Sequence, residues 1–344
     1  MAKVTLNQRT HVAIDVGTSK TRIHIERLGM VFNESTIIAT DFKTKKVIAI
    51  GDAAKNFVGK LSGNLQLKYP MKRGVISDMA ILKLFLATIL KKYENEIKGA
   101  IVTLACPTSV THLERNSLVK AIKELGVFHV QVEDDIKLAL LGAGIDITKP
   151  NGYLGLDLGA GKSTAAIIAT GGTVTSKWSK SAGNTTDQEI VKHLKAKHQI
   201  LIGDITAEKI KNSISTLIKT KTPLKTIAYG YDLTSGMPKD IELTDKDIAK
   251  ILQSTFGNLT NLITGVLEDS PNELAGDVIK NGVIVTGGMA NIPGVKFYFE
   301  DFFEIPVTVV KNAANATIDG AIAHKELTIE EYEVTHSPVE EVSY

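Results

Sequence analysis

Cysteine is nearly missing from this 344-residue chain, with Cys106 the only one. That excludes an intrachain disulfide and any thiolate metal cluster, and fits a reducing compartment, by default the cytoplasm. Histidine offers no substitute: His193 and His198 lie five apart, a spacing that does not place two side chains on one helical face. An excess of either charge is also lacking. Lys and Arg total 40 against 38 acidic residues, so the surface is not built mainly to neutralise nucleic-acid phosphates, and the lone Trp178 reads as packing rather than a stacking platform. No stretch approaches the ~18 uninterrupted apolar residues of a membrane span, and residues 1–9 have no apolar segment of signal-peptide length. Neither Gly-x-Ser-x-Gly nor Gly-x-x-x-x-Gly-Lys-Ser occurs.

What is present is a globular composition, 43% apolar and 23% charged. The length exceeds what one core usually serves, so two domains are expected. Short β-rich runs at 11–15, 22–26, 36–39, 47–51 and 101–106 alternate with helical patterns at 81–92, 111–124 and 134–144, which implies α/β layering. The turn Lys149-Pro150-Asn151-Gly152 separates this half from a second strand unit beginning at Tyr153. Five Glu between 327 and 344, with no helical apolar face, read as a mobile acidic tail.

Two segments share one layout. Ile14-Asp15-Val16-Gly17-Thr18-Ser19-Lys20 and Leu156-Asp157-Leu158-Gly159-Ala160-Gly161-Lys162 each run strand, Asp, apolar, Gly, then mostly small residues. Apolar runs follow at 23–25 and 165–169, so each copy predicts a β-hairpin with an acidic residue at the mouth of its turn. The copies are 157 − 15 = 142 residues apart, one domain length. Glycine lets backbone N–H groups approach a phosphate chain, and an Asp beside it can hold Mg²⁺ through water. A third element, Val283-Ile284-Val285-Thr286-Gly287-Gly288-Met289, runs a strand into a double glycine that permits close approach to a flat ring.

Together these motifs resemble the ATPase superfamily of actins, heat-shock chaperones and sugar kinases, and within it the MreB family of bacterial actins. The segments Pro70-Met71-Lys72-Arg73-Gly74-Val75-Ile76-Ser77-Asp78, 202–211 and Ile305-Pro306-Val307 add to the likeness, which spans about residues 10–326. The resemblance implies an α/β, actin-like two-domain fold with duplicated ribonuclease-H-like cores and a nucleotide cleft between them. Domain I would cover 1–151 and 317–330, with an insert at about 34–65; domain II would cover 152–316, with an insert at about 186–256; 331–344 would be the acidic tail. It also implies ATP or ADP with Mg²⁺ as ligands. Gly17, Thr18, Ser19, Lys20, Gly159, Ala160 and Gly161 would contact phosphates, and Asp15 and Asp157 would position the metal. Glu208 would meet the ribose, Lys211 would lie by the adenine, and Gly287, Gly288 and Met289 would close the base pocket. Self-assembly into paired protofilaments for cell shape or motility follows from the same resemblance, as does association with related paralogues.

The pattern breaks at two positions. Where the family's helix before Gly-Ala-Gly opens Glu-Glu-Pro, this chain has Glu133-Asp134-Asp135-Ile136-Lys137, with Asp135 aligned to the second Glu and no proline after it, and Lys162 replaces a hydroxyl in the second hairpin. Asp135 is one methylene short of the water-positioning glutamate, and an ammonium at 162 donates only, pairing with phosphate or with Asp135. Slow hydrolysis is therefore expected, as in a divergent paralogue from wall-less bacteria. Membrane contact at the inner face has little behind it: residues 1–9 carry only Lys3 and Arg9, and the loop Tyr93-Glu94-Asn95-Glu96 is acidic. A small-molecule kinase of the same superfamily and a nucleotide-gated scaffold without turnover are the alternatives.

Overall fold

The computed structural model describes residues 8–61 and 63–327; the acidic tail at 331–344 and Lys3 lie outside the described residues. The first half opens with a meander of β1 (His11–Val16), β2 (Lys20–Ile25) and β3 (Gly29–Ser35). A small sheet follows, from β4 (Ile38–Asp41), β5 (Val47–Ile50) and, after the short helix α1 (Gly51–Lys55), β6 (Leu65–Lys68). The ribbon β7 (Met71–Lys72) and β8 (Val75–Ile76) leads to α2 (Met79–Leu90) and α3 (Glu94–Ile97). Then come β9 (Ile101–Cys106), α4 (His112–Lys123), β10 (His129–Asp134) and α5 (Asp135–Gly142).

The main sheet runs β10-β9-β1-β2-β3, with β9 parallel to both β1 and β10. β1 and β9 are buried at every position, as central strands covered on both faces must be. α2 covers one face through Leu82, Phe85, Leu86 and Ile89, and its start is fixed by the Asp78 carboxylate accepting from the Ile81 amide. A capping box of Thr111 and Glu114 starts α4. Cys106 is buried in this core, where burial pushes its thiol up to about 12, so it packs as an inert apolar group. The strand expected at 36–39 is divided: β3 ends at Ser35 and β4 starts at Ile38, with Thr36 between them donating from Oγ1 to the Gly17 carbonyl at 2.7 Å. β3 itself is a half-exposed edge strand without clear alternation, which is why its residues carry no strand signal.

The second half repeats the plan. It contains β11 (Tyr153–Leu158), β12 (Ser163–Ala169), β13 (Gly172–Ser179), α6 (Gly183–His198), β14 (Ile200–Leu201), α7 (Asp204–Ile214), β15 (Lys225–Asp232) and β16 (Pro238–Thr244). α8 (Asp245–Glu268), α9 (Ala275–Asn281), β17 (Val283–Thr286), α10 (Val295–Phe303), β18 (Val307–Val309) and α11 (Ala316–Ala323) complete it. Its main sheet, β13-β12-β11-β17-β18, has the pairing of the first sheet strand for strand: an antiparallel meander joined through its first strand to two parallel strands. The duplication glimpsed in two hairpins thus extends to two five-stranded sheets. β14, β15 and β16 form a separate small sheet beside α6 and α7.

α5 and α11 join the halves. Ile136 and Leu140 on α5 pack with Ala166, Ile168 and Ile284 of the second sheet, while Leu138 packs with Ala13 and Ala105 of the first and with Ile318 and Ala321 of α11. The two helices cross at Gly142 and Gly320. A Cβ at Gly142 would run into the Ala316 carbonyl oxygen, and one at Gly320 into that of Leu138.

Candidate functional site

Between the two sheets lies a cavity of about 610 Å³, a volume suited to a small-molecule ligand. Both predicted hairpins open onto it with matching geometry. The Gly17 amide donates to the Lys20 carbonyl at 3.0 Å, and the Gly159 amide donates to that of Lys162 at 3.0 Å. A Cβ would stand 2.8 Å from the Lys20 oxygen at Gly17 and 2.7 Å from the Lys162 oxygen at Gly159, so each turn needs its glycine for closeness. The turns also meet each other. A Cβ on Gly161 would run into Thr18 Oγ1 and lie 2.5 Å from the Gly74 nitrogen, whose N–H donates to Thr18 Oγ1 at 3.0 Å. Ser19, Lys20 and Ala160 complete the lining here, and the start of α6 sits on the second turn, Asn184 donating its amide to the Ala160 carbonyl at 2.7 Å.

Three carboxylates face this end of the cavity: Asp15, Asp135 and Asp157. Burial pushes Asp15 up to about 6, with the Arg22 guanidinium at 3.1 Å pulling the other way and Asp135 adding to the rise. Burial likewise pushes Asp157 up to about 6, reinforced by Asp135 and opposed by Lys162 and by the Thr286 hydroxyl donating at 3.0 Å. Lys162 is only 5% exposed; its ammonium lies 3.0 Å from Asp135, and its stem fills the space a side chain at Gly74 would need. Three carboxylates against the two cations Arg22 and Lys162 leave a buried deficit of one positive charge, which a divalent ion would reverse. Among the described residues no three His, Cys, Asp or Glu side chains converge tightly enough to ligate a metal directly. The fit is to a hydrated hard cation such as Mg²⁺, which keeps its waters and shares phosphate oxygens.

At the opposite end α7 faces the loop after β17. Lys211 donates to Asp187 at 2.8 Å and to the Gly183 carbonyl at 3.1 Å, pinning α7 to the start of α6. Glu208 pairs with Lys55 across the cleft at 2.9 Å. Gly287 has φ +87°, and a Cβ there would overlap the Leu158 backbone; a Cβ at Gly288 would meet nothing within 4 Å, and Met289 is buried behind it.

A family model described as MreB/Mbl protein matches residues 9–332. The chain belongs to the MreB/Mbl family. Among its MreB/Mbl relatives, the cell shape-determining protein Mbl of Bacillus subtilis is 33% identical over 313 residues, 90% of this chain and 93% of that protein. The cell shape-determining protein MreB of Escherichia coli K12 is 28% identical over 316 residues, covering 90% and 91%. The crystal structure of MreB5 of Spiroplasma citri bound to AMPPNP superposes with a TM-score of 0.90 at 37% identity, over 95% of this chain and 99% of that one. The MamK double helical filament, at 19% identity and a TM-score of 0.77, shares the fold over 92% of this chain and 99% of that one.

In this MreB/Mbl chain, all sixteen residues singled out from the sequence line the one cleft: Asp15, Gly17 to Lys20, Asp135, Asp157, Gly159 to Lys162, Glu208, Lys211 and Gly287 to Met289. Lys211 commits its ammonium to Asp187 and to the Gly183 carbonyl. Gly287 serves the close pass over Leu158, and Gly288 provides the open space. Arg22 was missed although the hairpin signalled it: with the turn at 17–20, Asp15 and Arg22 are directly opposed across the strands, where the second copy opposes Asp157 with Thr164. Gly74 stood only within the family-like segment 70–78 with no role given to it, and Lys55 and Asp187 left no comparable signal. The rings of His193 and His198 touch edge to face 6.3 Å apart at the end of α6, and among the described residues no group of three His, Cys, Asp or Glu forms there to hold a metal.

Proposed function

We propose that this chain is an ATP-binding, filament-forming bacterial actin that cleaves ATP slowly. The support is the cleft just described, membership of the MreB/Mbl family, and the nucleotides named for the Spiroplasma MreB5 structures, AMPPNP and ADP. The β- and γ-phosphates would lie between the turns at 17–20 and 159–161, taking hydrogen bonds from their amides. Asp15 and Asp157 would hold Mg²⁺ through water, and that ion would neutralise charge on the phosphates. Glu208 would accept from the ribose, and Gly288 with Met289 would take the adenine. Domain I would comprise residues 1–151 and 317–330 and domain II residues 152–316, the halves moving about α5 and α11. Assembly would be into paired protofilaments, alone or with related paralogues. Among the described residues no helix is long and apolar enough to cross a membrane.

Slow turnover rests on one observation, the buried Lys162–Asp135 ion pair at 3.0 Å. A water attacking the γ-phosphorus needs an acceptor that orients it and takes its proton. Asp135 is the candidate, but one oxygen also caps its neighbour, accepting from the Ile136 amide at 2.9 Å, and both face Lys162. A carboxylate so engaged orients water poorly, and a misplacement of about 1 Å can cost on the order of 10²-fold. Phosphate release should be slow for the native chain and rise at least about tenfold in Asp135→Glu with Lys162→Thr; no gain in the double variant would overturn the assignment. ATP-dependent sedimentation with electron microscopy tests assembly. Particles that stay monomeric in every nucleotide state would favour the small-molecule kinase instead.

A further inference from the structure

An ion pair bridges the mouth of the cleft. Lys55, the last residue of α1, reaches Glu208 on α7 with Nζ 2.9 Å from Oε2, joining segments 153 residues apart. Both ends are mounted rigidly. α1 is tied to the end of β3, where the Asp52 carboxylate accepts from the Ser35 amide at 3.0 Å and the Ser35 hydroxyl at 2.6 Å, and the Asp52 amide donates to Glu34 at 2.9 Å. The Ser35 hydroxyl bond, together with the Ser35 amide, holds the Asp52 carboxyl below its ordinary range. α7 is tied to α6 by the buried Lys211–Asp187 pair. Glu208 itself lines the cavity. Its other oxygen, Oε1, is not the one facing Lys55.

We propose that Lys55 is a positioning residue for nucleotide sugar recognition: by holding one oxygen of Glu208, it aims the other at the ribose hydroxyls and so links sugar recognition to closure of the cleft. This rests on the reading of the cleft as a nucleotide site. A glutamate has three side-chain torsions, and fixing its head from the far wall removes freedom that a ribose would otherwise have to remove on binding. A carboxylate oxygen is a stronger acceptor for a hydroxyl than a neutral oxygen. A sugar lacking the 2′-hydroxyl leaves that oxygen unmatched, so the clasp should set discrimination between ribose and deoxyribose.

The experiment compares dissociation constants for ATP and 2′-deoxy-ATP, with Mg²⁺, in the full chain and in Lys55→Met, Lys55→Arg and Glu208→Gln. The native chain should prefer ATP about tenfold, roughly the value of one hydrogen bond to a charged group. Lys55→Met, which keeps the stem and removes the charge, should reduce the preference to about twofold without moving the melting temperature of the nucleotide-free protein; Lys55→Arg should restore it. Glu208→Gln should lose it regardless of residue 55. Full preference in Lys55→Met overturns the positioning role, as does tighter ATP binding there, which would make Lys55 a competitor of the ribose. No ATP binding by the native chain would instead bring down the nucleotide reading of the cleft.

Discussion

His11 gives the first core an acid sensitivity. Its ring is buried on β1 within 2.9 Å of the Thr103 hydroxyl, and burial, with Lys325 assisting and Glu26 opposing, pulls its pKa down to about 4. The folded chain therefore binds this proton less readily than the unfolded one, whose ordinary value is about 6.5. The contribution to stability is complete above pH 6.5 and is lost as pH falls through that value towards 4. A shift of this size corresponds to about 3 kcal/mol at most, and to about 2 kcal/mol after allowing for residual solvation. Denaturant unfolding of the native chain and of His11→Gln at pH 7 and pH 4.5 measures this contribution together with its linkage to Glu26, His24 and His324, titrating groups that act on His11, while unlinked groups cancel in the difference. The native chain should lose about 2 kcal/mol more than the variant; equal losses would place the acid sensitivity elsewhere.

The crossing of α5 and α11 depends on two glycines whose cost is visible by propensity alone. Neither Gly142 nor Gly320 has a positive φ, so alanine at either would gain roughly 1 kcal/mol of helix propensity in isolation. In the fold, each added methyl would overlap the backbone of the other helix. Overpacking of a rigid crossing should win, and Gly142→Ala or Gly320→Ala should lower stability by about 3 kcal/mol in chemical unfolding; a stabilised variant would show that the helices can part. Such pairings mark the limit of what sequence makes legible. The two Asp-x-Gly hairpins were readable because strand, Asp and Gly stand within a few residues of each other, and the register then gives Arg22 opposite Asp15. Strands β1, β9 and β11 were readable as apolar runs. The Gly142–Gly320 crossing, Lys55 on Glu208 and Lys211 on Asp187 were not, because each pairs elements whose approach is set by packing rather than by local pattern. β3 escaped for another reason: an exposed edge strand needs no regular alternation.

For the whole molecule, the halves meet closely at Gly161, Thr18 and Gly74, and this contact is expected to limit how far they close. The turns at 17–20 and 159–162 face each other from the two halves across this contact. Gly161 has an ordinary φ, and the Gly161→Ala variant therefore suffers no backbone strain of its own. Its methyl, however, would meet Thr18 Oγ1 and the Gly74 nitrogen, both from the first half of the chain. The least costly response is a small rotation of the halves apart, because each sheet core is close-packed and resists deformation while the interface between them can yield. Affinity for ATP with Mg²⁺ should fall at least about tenfold, since in the proposed binding mode amides from both turns take the same phosphates at hydrogen-bond distance. Small-angle scattering should show a larger radius of gyration, with thermal unfolding lowered by only about 1–3 kcal/mol, the usual cost of overpacking. A variant that scatters like the native chain and binds ATP as tightly would mean that Thr18 and Gly74 give way locally, and that closure is limited elsewhere, at Lys55 and Glu208.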